Sequence, residues 1–191
     1  MNWETLLCLG DSITIGSRSY LGYPEYCGQF LSIETSKNWN VINHAVAGFT
    51  TIELARSIDK SIAQLKTIKP EIITVLIGTN DLKSNTSLKN FKIAFQQLLT
   101  KAQLIIGNKN ILVLEIPELP RGIMLPYKIE MNETIIKYNE VIKEVAKKEG
   151  LMLFKIDSKP EHFFDGVHLN DSGSEEWGKR VSDFIVNLRT N

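Results

Sequence analysis

Short apolar runs alternate along the chain with longer segments in which apolar residues recur every three or four positions. The short runs are typical of β-strands and the longer segments of helices. The first, third and fourth runs are almost continuously apolar, as expected of strands that are buried on both faces of a parallel sheet. The predicted strands span residues 6–9, 40–46, 72–77, 111–116 and 151–156.

One-sided apolar stripes predict four of the helices. These stripes run over residues 55–65, 88–105, 131–145 and 177–188. Thr50 and Glu53 have the spacing of a capping box in front of the first stripe, and Pro24 suits the first turn of an earlier helix. Gly150 is expected to end the helix that precedes the fifth strand.

The regular alternation of strand and helix predicts βαβ units, and hence an α/β fold with one parallel sheet and helices on both faces. Right-handed crossovers favour the flavodoxin-like strand order 2-1-3-4-5. A length of 191 residues fits one domain, and no linker, repeat or low-complexity tract divides it. We therefore predict a single domain over residues 1–191.

The charge balance narrows the classes of partner. The chain has 22 Lys and Arg and 22 Asp and Glu, so its formal charge is zero and a nucleic-acid-binding protein, which usually carries a basic stripe, is disfavoured.

No apolar run approaches the roughly 20 residues that cross a bilayer. The first residues show no signal-peptide pattern, so we predict a cytoplasmic protein; a secreted chain whose leader had been removed would show the same pattern. The oligomeric state is not readable from the sequence.

Two cysteines, Cys8 and Cys27, are too few for a disulfide framework. Cys8 lies within an apolar run and is interpreted as a buried strand residue. A metal site would need more ligands at closer spacing, so we expect neither a metal ion nor another cofactor.

Polar residues and glycines follow four of the five predicted strands. They form the segments 10–14, 47–50, 78–81 and 165–170. Ligands of open parallel sheets bind outside the carboxyl ends of the strands, so we expect these four segments to meet at one edge of the sheet.

Three of these residues have the chemistry of a nucleophilic site. Ser12 is a candidate nucleophile, which needs a nearby base because a serine hydroxyl is weak at neutral pH. His168 is the candidate base, and Asp165, three residues earlier, can hold one ring nitrogen while the other faces Ser12. Taken singly, each is more often a turn or capping residue; their occurrence in order at strand ends favours a catalytic role.

An acyl-transfer site also needs hydrogen-bond donors for the oxyanion. The candidate donors are the backbone N–H groups of Ser12 and Gly48 and the side-chain amide of Asn80. Gly48 and Asn80 alone would be interpreted as turn residues. Asn170 is a predicted N-cap of the last helix, which would fix the backbone near His168.

The four segments together resemble the motifs of the SGNH hydrolases, also called the GDSL esterase/lipase family. The matching motifs are Gly10-Asp11-Ser12-Ile13-Thr14, the segment 43–51 around Gly48, Gly78-Thr79-Asn80-Asp81 and Asp165-Gly166-Val167-His168-Leu169. The resemblance covers residues 5–188. It implies a three-layer α/β/α fold, with Ser12, Gly48, Asn80 and His168 in the family's roles and Asp165 completing a triad that hydrolyses small-molecule carboxylic esters through an acyl-enzyme.

The second motif departs from the family's usual pattern at Ala45 and Phe49. The Phe49 ring either packs against the adjoining helix, which we favour, or selects an acyl chain.

The irregular segment 117–128 follows the fourth strand and is either a lid or a plain surface loop; within it, Glu118 and Arg121 could meet a polar substrate. His162 is a weaker candidate base than His168, and His44 is interpreted as a hydrogen-bonded core histidine within the second strand.

Other functions remain open on the same residues. Asp11, Asp81 and Asp165 could bind Mg²⁺ for phosphoryl transfer, but this reading leaves His168 and Gly48 without a role. An α/β-hydrolase is disfavoured because the first motif lacks the second glycine of the G-x-S-x-G elbow. A non-catalytic binding module would be favoured if a catalytic position were missing, and none is. Lysophospholipase, thioesterase and acyltransferase activities would use the same site. The short chain favours short-acyl, acetyl-type esters, with carbohydrate-linked esters among the candidates.

Overall fold

The computed structural model describes residues 3–107, 110–120, 123–157 and 159–190. Strands and helices alternate along this part of the chain. In order they are β1 (Trp3–Gly10), α1 (Ser12–Ile15), α2 (Tyr23–Thr35), β2 (Asn38–Asn43), α3 (Thr51–Ile68), β3 (Ile72–Leu76), α4 (Thr79–Lys83), α5 (Leu88–Ile106), β4 (Ile111–Leu114), α6 (Asn132–Glu149), β5 (Met152–Phe154) and α7 (Asp171–Thr190). Short 3₁₀ helices lie at Ile129–Met131 and Pro160–His162.

The five strands form one parallel sheet in the order β2-β1-β3-β4-β5, which confirms the predicted α/β fold and strand order. Successive side chains of a strand point to opposite faces, so each face of the sheet has its own apolar core. Leu7 and Leu9 of β1 belong to the core that includes α3, α5 and α6. Leu6 and Cys8 belong to the core formed with α2 and α7. The sheet is therefore the middle layer of three.

Several strand ends differ from the predicted bounds. The second strand ends at Asn43 rather than at residue 46, although His44 N still donates to Cys8 O at 2.8 Å. The fourth ends at Leu114 rather than at residue 116, because Ile116 N donates to the Asn139 side chain at 2.8 Å. β1 is longer than predicted, since Trp3, Glu4 and Thr5 also pair with β2.

The predicted helix caps are confirmed. Thr50 and Glu53 form the capping box of α3, with Thr50 N donating to Glu53 Oε2 at 2.8 Å. Pro24 lies in the first turn of α2, and Gly150 ends α6 in the left-handed conformation. Cys8 and Cys27 are both buried and unpaired. Among the described residues, no helix is long and apolar enough to cross a membrane.

Candidate active site

The structure brings Ser12, His168 and Asp165 into one hydrogen-bonded chain. Ser12 is the first residue of α1, directly beyond β1, whereas His168 and Asp165 lie in the connection between β5 and α7. His168 Nε2 lies 3.0 Å from Ser12 Oγ, across 156 positions of sequence. His168 Nδ1 lies 2.8 Å from Asp165 Oδ2. The sequence therefore predicted the grouping of these three side chains correctly; their catalytic roles remain proposals.

Ser12 is held at the sheet edge by the short helix α1, which was not predicted from the sequence. Asp11 caps this helix, because its Oδ1 accepts a hydrogen bond from Ile13 N at 3.0 Å. Gly10 permits the tight turn into it: a Cβ atom there would lie 2.1 Å from Thr14 Oγ1 and 2.6 Å from Leu76 O. The exit from β1 thus places the Ser12 hydroxyl beyond the carboxyl end of the strand.

The Asp165 carboxylate organises the turn that carries the histidine. Its Oδ1 accepts from Val167 N at 3.0 Å and His168 N at 2.8 Å, while Oδ2 faces the imidazole. Burial tends to raise the pKa of Asp165, but the hydrogen bonds from His168 and Val167 outweigh it and leave the pKa below its ordinary value. An ionised carboxylate at Nδ1 keeps the proton on that nitrogen, so Nε2 can accept a proton from Ser12.

Contacts between the start of α7 and the loop after α1 tie the two ends of the site together. Tyr20 N donates to the Asp171 carboxylate, and Ser174 Oγ donates to Ser19 Oγ at 2.9 Å. Asn170 Oδ1 accepts from Gly173 N at 2.9 Å, which confirms the predicted N-cap. The spacing between Ser12 and His168 therefore rests on contacts outside the pair itself.

The candidate oxyanion donors lie beside the nucleophile turn. Gly48 is exposed, has φ +80°, and within the described residues its N–H donates no hydrogen bond. Asn80, on α4, donates from Nδ2 to Phe49 O at 3.0 Å and to Asp11 Oδ2 at 3.3 Å. Both amide hydrogens thus already have acceptors, so an oxyanion would have to compete for one of them. This arrangement was not predicted from the sequence.

Two further side chains at the site were missed by the sequence analysis. Tyr127 Oη donates to Asn80 Oδ1 at 3.2 Å. Arg18 is half-exposed, with Nε 3.7 Å from Asp165 Oδ2 and Cζ 6.0 Å from the centroid of the Phe164 ring. The only available signal for Tyr127 was its place in the irregular segment after the fourth strand, and Arg18 had none.

The side chains of Phe49, His44 and His162 make their contacts outside this arrangement. Phe49 packs against the core of α3, α5 and α6, as favoured. His44 lies just beyond β2 rather than within it, and its Nε2 is 3.1 Å from Ser61 Oγ. His162 is buried, and its Nδ1 accepts from Lys159 N at 3.4 Å. Glu118 is exposed, and Arg121 lies outside the described residues.

The three carboxylates considered for Mg²⁺ accept hydrogen bonds from protein donors. Asp81 Oδ2 accepts from Thr51 N at 2.8 Å and Thr51 Oγ1 at 2.9 Å, while Asp11 and Asp165 have the partners described above. Over residues 3–107, 110–120, 123–157 and 159–190, no group of three or more His, Cys, Asp or Glu side chains is placed to hold a metal ion. Each carboxylate has a structural partner that explains its position.

Asp11 is 1% exposed, and burial raises the pKa of its carboxyl to about 7; the charge of Asp81 acts in the same direction, and the Ile13 N–H opposes it. The folded chain therefore keeps a proton that the unfolded chain releases above about pH 4. The contribution of Asp11 to the free energy of unfolding accordingly falls as the pH rises from about 4 to about 7, and is constant above that range.

We expect the Asp11→Asn variant to gain free energy of unfolding relative to the wild type over this pH window, by up to roughly 4 kcal/mol. The measurement is urea denaturation of both proteins at about pH 4.5 and about pH 8. Asp157→Asn, at an exposed aspartate, is the control and should follow the wild type. Equal pH dependence for Asp11→Asn and the wild type would refute this account of Asp11.

Comparison with known proteins identifies the family to which the site belongs. The GDSL-like lipase/acylhydrolase family matches residues 8–175. A multidomain esterase from Ruminococcus flavefaciens is 28% identical over 213 residues, which include 91% of this chain. The chain spans only 27% of the length of that relative.

Solved structures share the fold at low sequence identity. A lipase/acylhydrolase from Enterococcus faecalis has a TM-score of 0.78 at 20% identity, with 95% of each chain covered. A variant of an acetyl xylan esterase from Geobacillus stearothermophilus has a TM-score of 0.72 at 19% identity, covering 97% of this chain and 94% of that one. The family match includes all four motifs that suggested the resemblance, and it confirms that this chain belongs to the GDSL-like lipase/acylhydrolase family.

Proposed function

We propose that this protein is a serine esterase that hydrolyses carboxylic esters through an acyl-enzyme formed on Ser12, with residues 1–191 acting as one catalytic domain. The observation that carries the proposal is the chain of contacts from Asp165 to His168 to Ser12, at 2.8 and 3.0 Å. These distances are within the range at which a base activates a serine hydroxyl. Family membership supports ester chemistry at this site.

In the first step, Ser12 Oγ attacks the ester carbonyl carbon as His168 Nε2 takes the hydroxyl proton. The imidazole becomes positively charged, and the Asp165 carboxylate at Nδ1 stabilises that charge without taking the proton. The carbonyl oxygen becomes an oxyanion, for which the Ser12 and Gly48 N–H groups and the Asn80 amide are the proposed donors.

In the second step, His168 gives its proton to the leaving alcohol as the carbon–oxygen bond of the ester breaks, which leaves the acyl group on Ser12. Water then attacks the acyl-enzyme while Nε2 takes one of its protons. Collapse of the second tetrahedral intermediate returns the proton to Ser12 Oγ and releases the carboxylic acid. Neither step consumes a cofactor.

The proposed substrates are short-acyl esters, with acetylated carbohydrates among the candidates. The acetyl xylan esterase of similar fold supports this choice by its name, whereas the name of the multidomain esterase supports ester hydrolysis in general. The surroundings of Gly48 are open, since among the described residues no heavy atom, apart from those of Gly48 and its two chain neighbours, lies within 4 Å of the position that a Cβ would occupy there. An open edge of this kind suits an acetyl ester whose alcohol part is large.

One observation favours a longer acyl chain. Leu125 is 76% exposed and Phe164 67% exposed, and both lie near Asp165, because Phe164 precedes it and Met124 N donates to its carbonyl at 2.9 Å. An exposed apolar rim beside Asp165 would suit a lysophospholipase or a thioesterase. Acyl transfer to an alcohol instead of water would use the same groups, and added acceptor alcohol would reveal it as a new ester product.

A series of p-nitrophenyl esters from acetate to dodecanoate separates these substrates. We expect the highest kcat/KM for acetate or butyrate and a loss of at least about tenfold by octanoate. Each added methylene is stabilised, by about 0.8 kcal/mol, only where it is buried against apolar surface. A site that fits a short acyl group would not bury the additional methylenes of octanoate. The Ser12→Ala protein supplies the background rate for each ester. A kcat/KM that rises steadily to octanoate or beyond would replace the short-acyl proposal with the long-chain alternative.

A further inference from the structure

Tyr127 lies at the edge of the site with its hydroxyl group facing inwards. The residue is 6% exposed, and its ring belongs to the apolar core of α3, α5 and α6. Tyr127 N donates to Met124 O at 3.1 Å, so a turn fixes the backbone that carries the ring. The hydroxyl donates to Asn80 Oδ1 at 3.2 Å.

The Asn80 amide has a complete set of partners in one orientation only. Its nitrogen donates to Phe49 O and Asp11 Oδ2, and its oxygen accepts from Tyr127. A half-turn of the amide would point its oxygen at the Phe49 carbonyl oxygen, which has no proton to donate, and would turn its nitrogen towards Tyr127. The Tyr127 hydroxyl and the Phe49 carbonyl therefore favour the same orientation, with Nδ2 beside the Gly48–Phe49 backbone.

We infer that Tyr127 is a positioning residue, which aligns and polarises the Asn80 amide so that its N–H can serve the oxyanion. This inference rests on the proposed function and concerns one donor of that site. A hydrogen bond to the oxygen of an amide draws electron density from the nitrogen, and bonds in such a chain strengthen one another. Without the hydroxyl, Asn80 Oδ1 would be a buried acceptor without a donor, which would favour movement of the amide away from this position.

The segment that carries Tyr127 also contacts the acid of the proposed triad, through a different set of atoms. Met124 N donates to Asp165 O at 2.9 Å, and a Cβ at Gly166 would lie 2.8 Å from Ile123 Cα. These contacts use backbone atoms and do not need the Tyr127 hydroxyl. Removal of that hydroxyl should therefore leave Ser12, His168 and Asp165 in place and change only the oxyanion side of the site.

The test is the Tyr127→Phe variant, assayed with p-nitrophenyl acetate. We expect kcat to fall about tenfold with KM within about twofold of the wild type, because the oxyanion exists in the transition state and not in the bound substrate.

Tyr138→Phe is the matched control: Tyr138 is also buried, and its hydroxyl donates to Thr86 O at 2.6 Å rather than to Asn80. This control should keep kcat within about twofold. If Tyr127→Phe is too unstable to purify, Tyr127→Met removes the same hydroxyl with a side chain that adapts to core space.

A double-mutant cycle separates positioning from a general structural effect. Asn80→Ala alone should lower kcat at least about tenfold, and adding Tyr127→Phe to it should cause no further loss beyond about twofold. A wild-type kcat for Tyr127→Phe, or a loss that multiplies in full with that of Asn80→Ala, would overturn the inference. If Ser12→Ala also keeps its activity, the proposed function fails as well; if only the Tyr127 results are contrary, that function stands.

Discussion

Replacement of Ser12 by alanine is expected to lower kcat for p-nitrophenyl acetate by roughly 10⁴-fold or more. The reason is the 3.0 Å contact of Ser12 Oγ with His168 Nε2, since without the hydroxyl the imidazole has no nucleophile to activate. The α1 helix should persist, because the Asp11 side chain that caps it and the Gly16 that ends it are unchanged.

Ser17→Ala is the matched control for this experiment. Ser17 is an exposed serine just beyond α1, and its contact with Ser12 O is made by its backbone N–H at 3.1 Å. We expect its kcat to lie within about twofold of the wild type. A cooperative thermal unfolding transition in each of the three proteins would show that they are folded. Hydrolysis by Ser12→Ala at the wild-type rate would end the proposal of a serine esterase.

The second large effect is expected for Asp165→Asn, at about 10⁴-fold in kcat. The side-chain oxygen of an asparagine can still accept from the backbone N–H groups of Val167 and His168, as Asp165 Oδ1 does at 3.0 and 2.8 Å. Its NH₂ group would then face His168 Nδ1 in place of Oδ2. Because NH₂ is a donor, Nδ1 would have to be the acceptor and the ring proton would move to Nε2. The imidazole would then be unable to take the Ser12 proton.

Steady-state kinetics with p-nitrophenyl acetate measure this loss. Asp157→Asn, at an exposed aspartate in the same connection between β5 and α7, is the control and should remain within about twofold of the wild type. Since the substitution alters the tautomer and not the binding of the ester, the loss should lie in kcat rather than in KM. A decrease in kcat of less than about tenfold for Asp165→Asn would show that His168 does not depend on this carboxylate.

The layers of the fold could be predicted because they follow from the pattern of apolar positions. β3, β4 and residues 6–9 of β1 are nearly continuous apolar runs and are buried on both faces, whereas α3, α5, α6 and α7 each carry the one-sided stripe that covers the sheet. The short helices α1 and α4 were not predicted, because four or five residues are too few to show a period. Asp11 and Gly78 start them in the context of the folded sheet.

The candidate triad could be predicted because its members lie at strand ends that the topology brings together. The contacts made by irregular segments could not be predicted, since no pattern in the sequence relates a residue of such a segment to the residue that it contacts. The donation from Tyr127 to Asn80 depends on how the segment after β4 returns to the sheet edge. The occupation of both Asn80 amide hydrogens depends likewise on where Phe49 O and the buried Asp11 carboxyl lie in the folded chain.

The most direct test of the account is to find which residue a fluorophosphonate probe modifies, by mass spectrometry of the digested protein. The probe reacts with a serine whose hydroxyl a neighbouring base has activated, and this activation is the central claim for Ser12 and His168. We predict one adduct, on Ser12, formed by the folded wild type and strongly reduced in His168→Ala. An unmodified Ser12 in the folded wild type, or labelling that is equally fast without His168, would contradict the account.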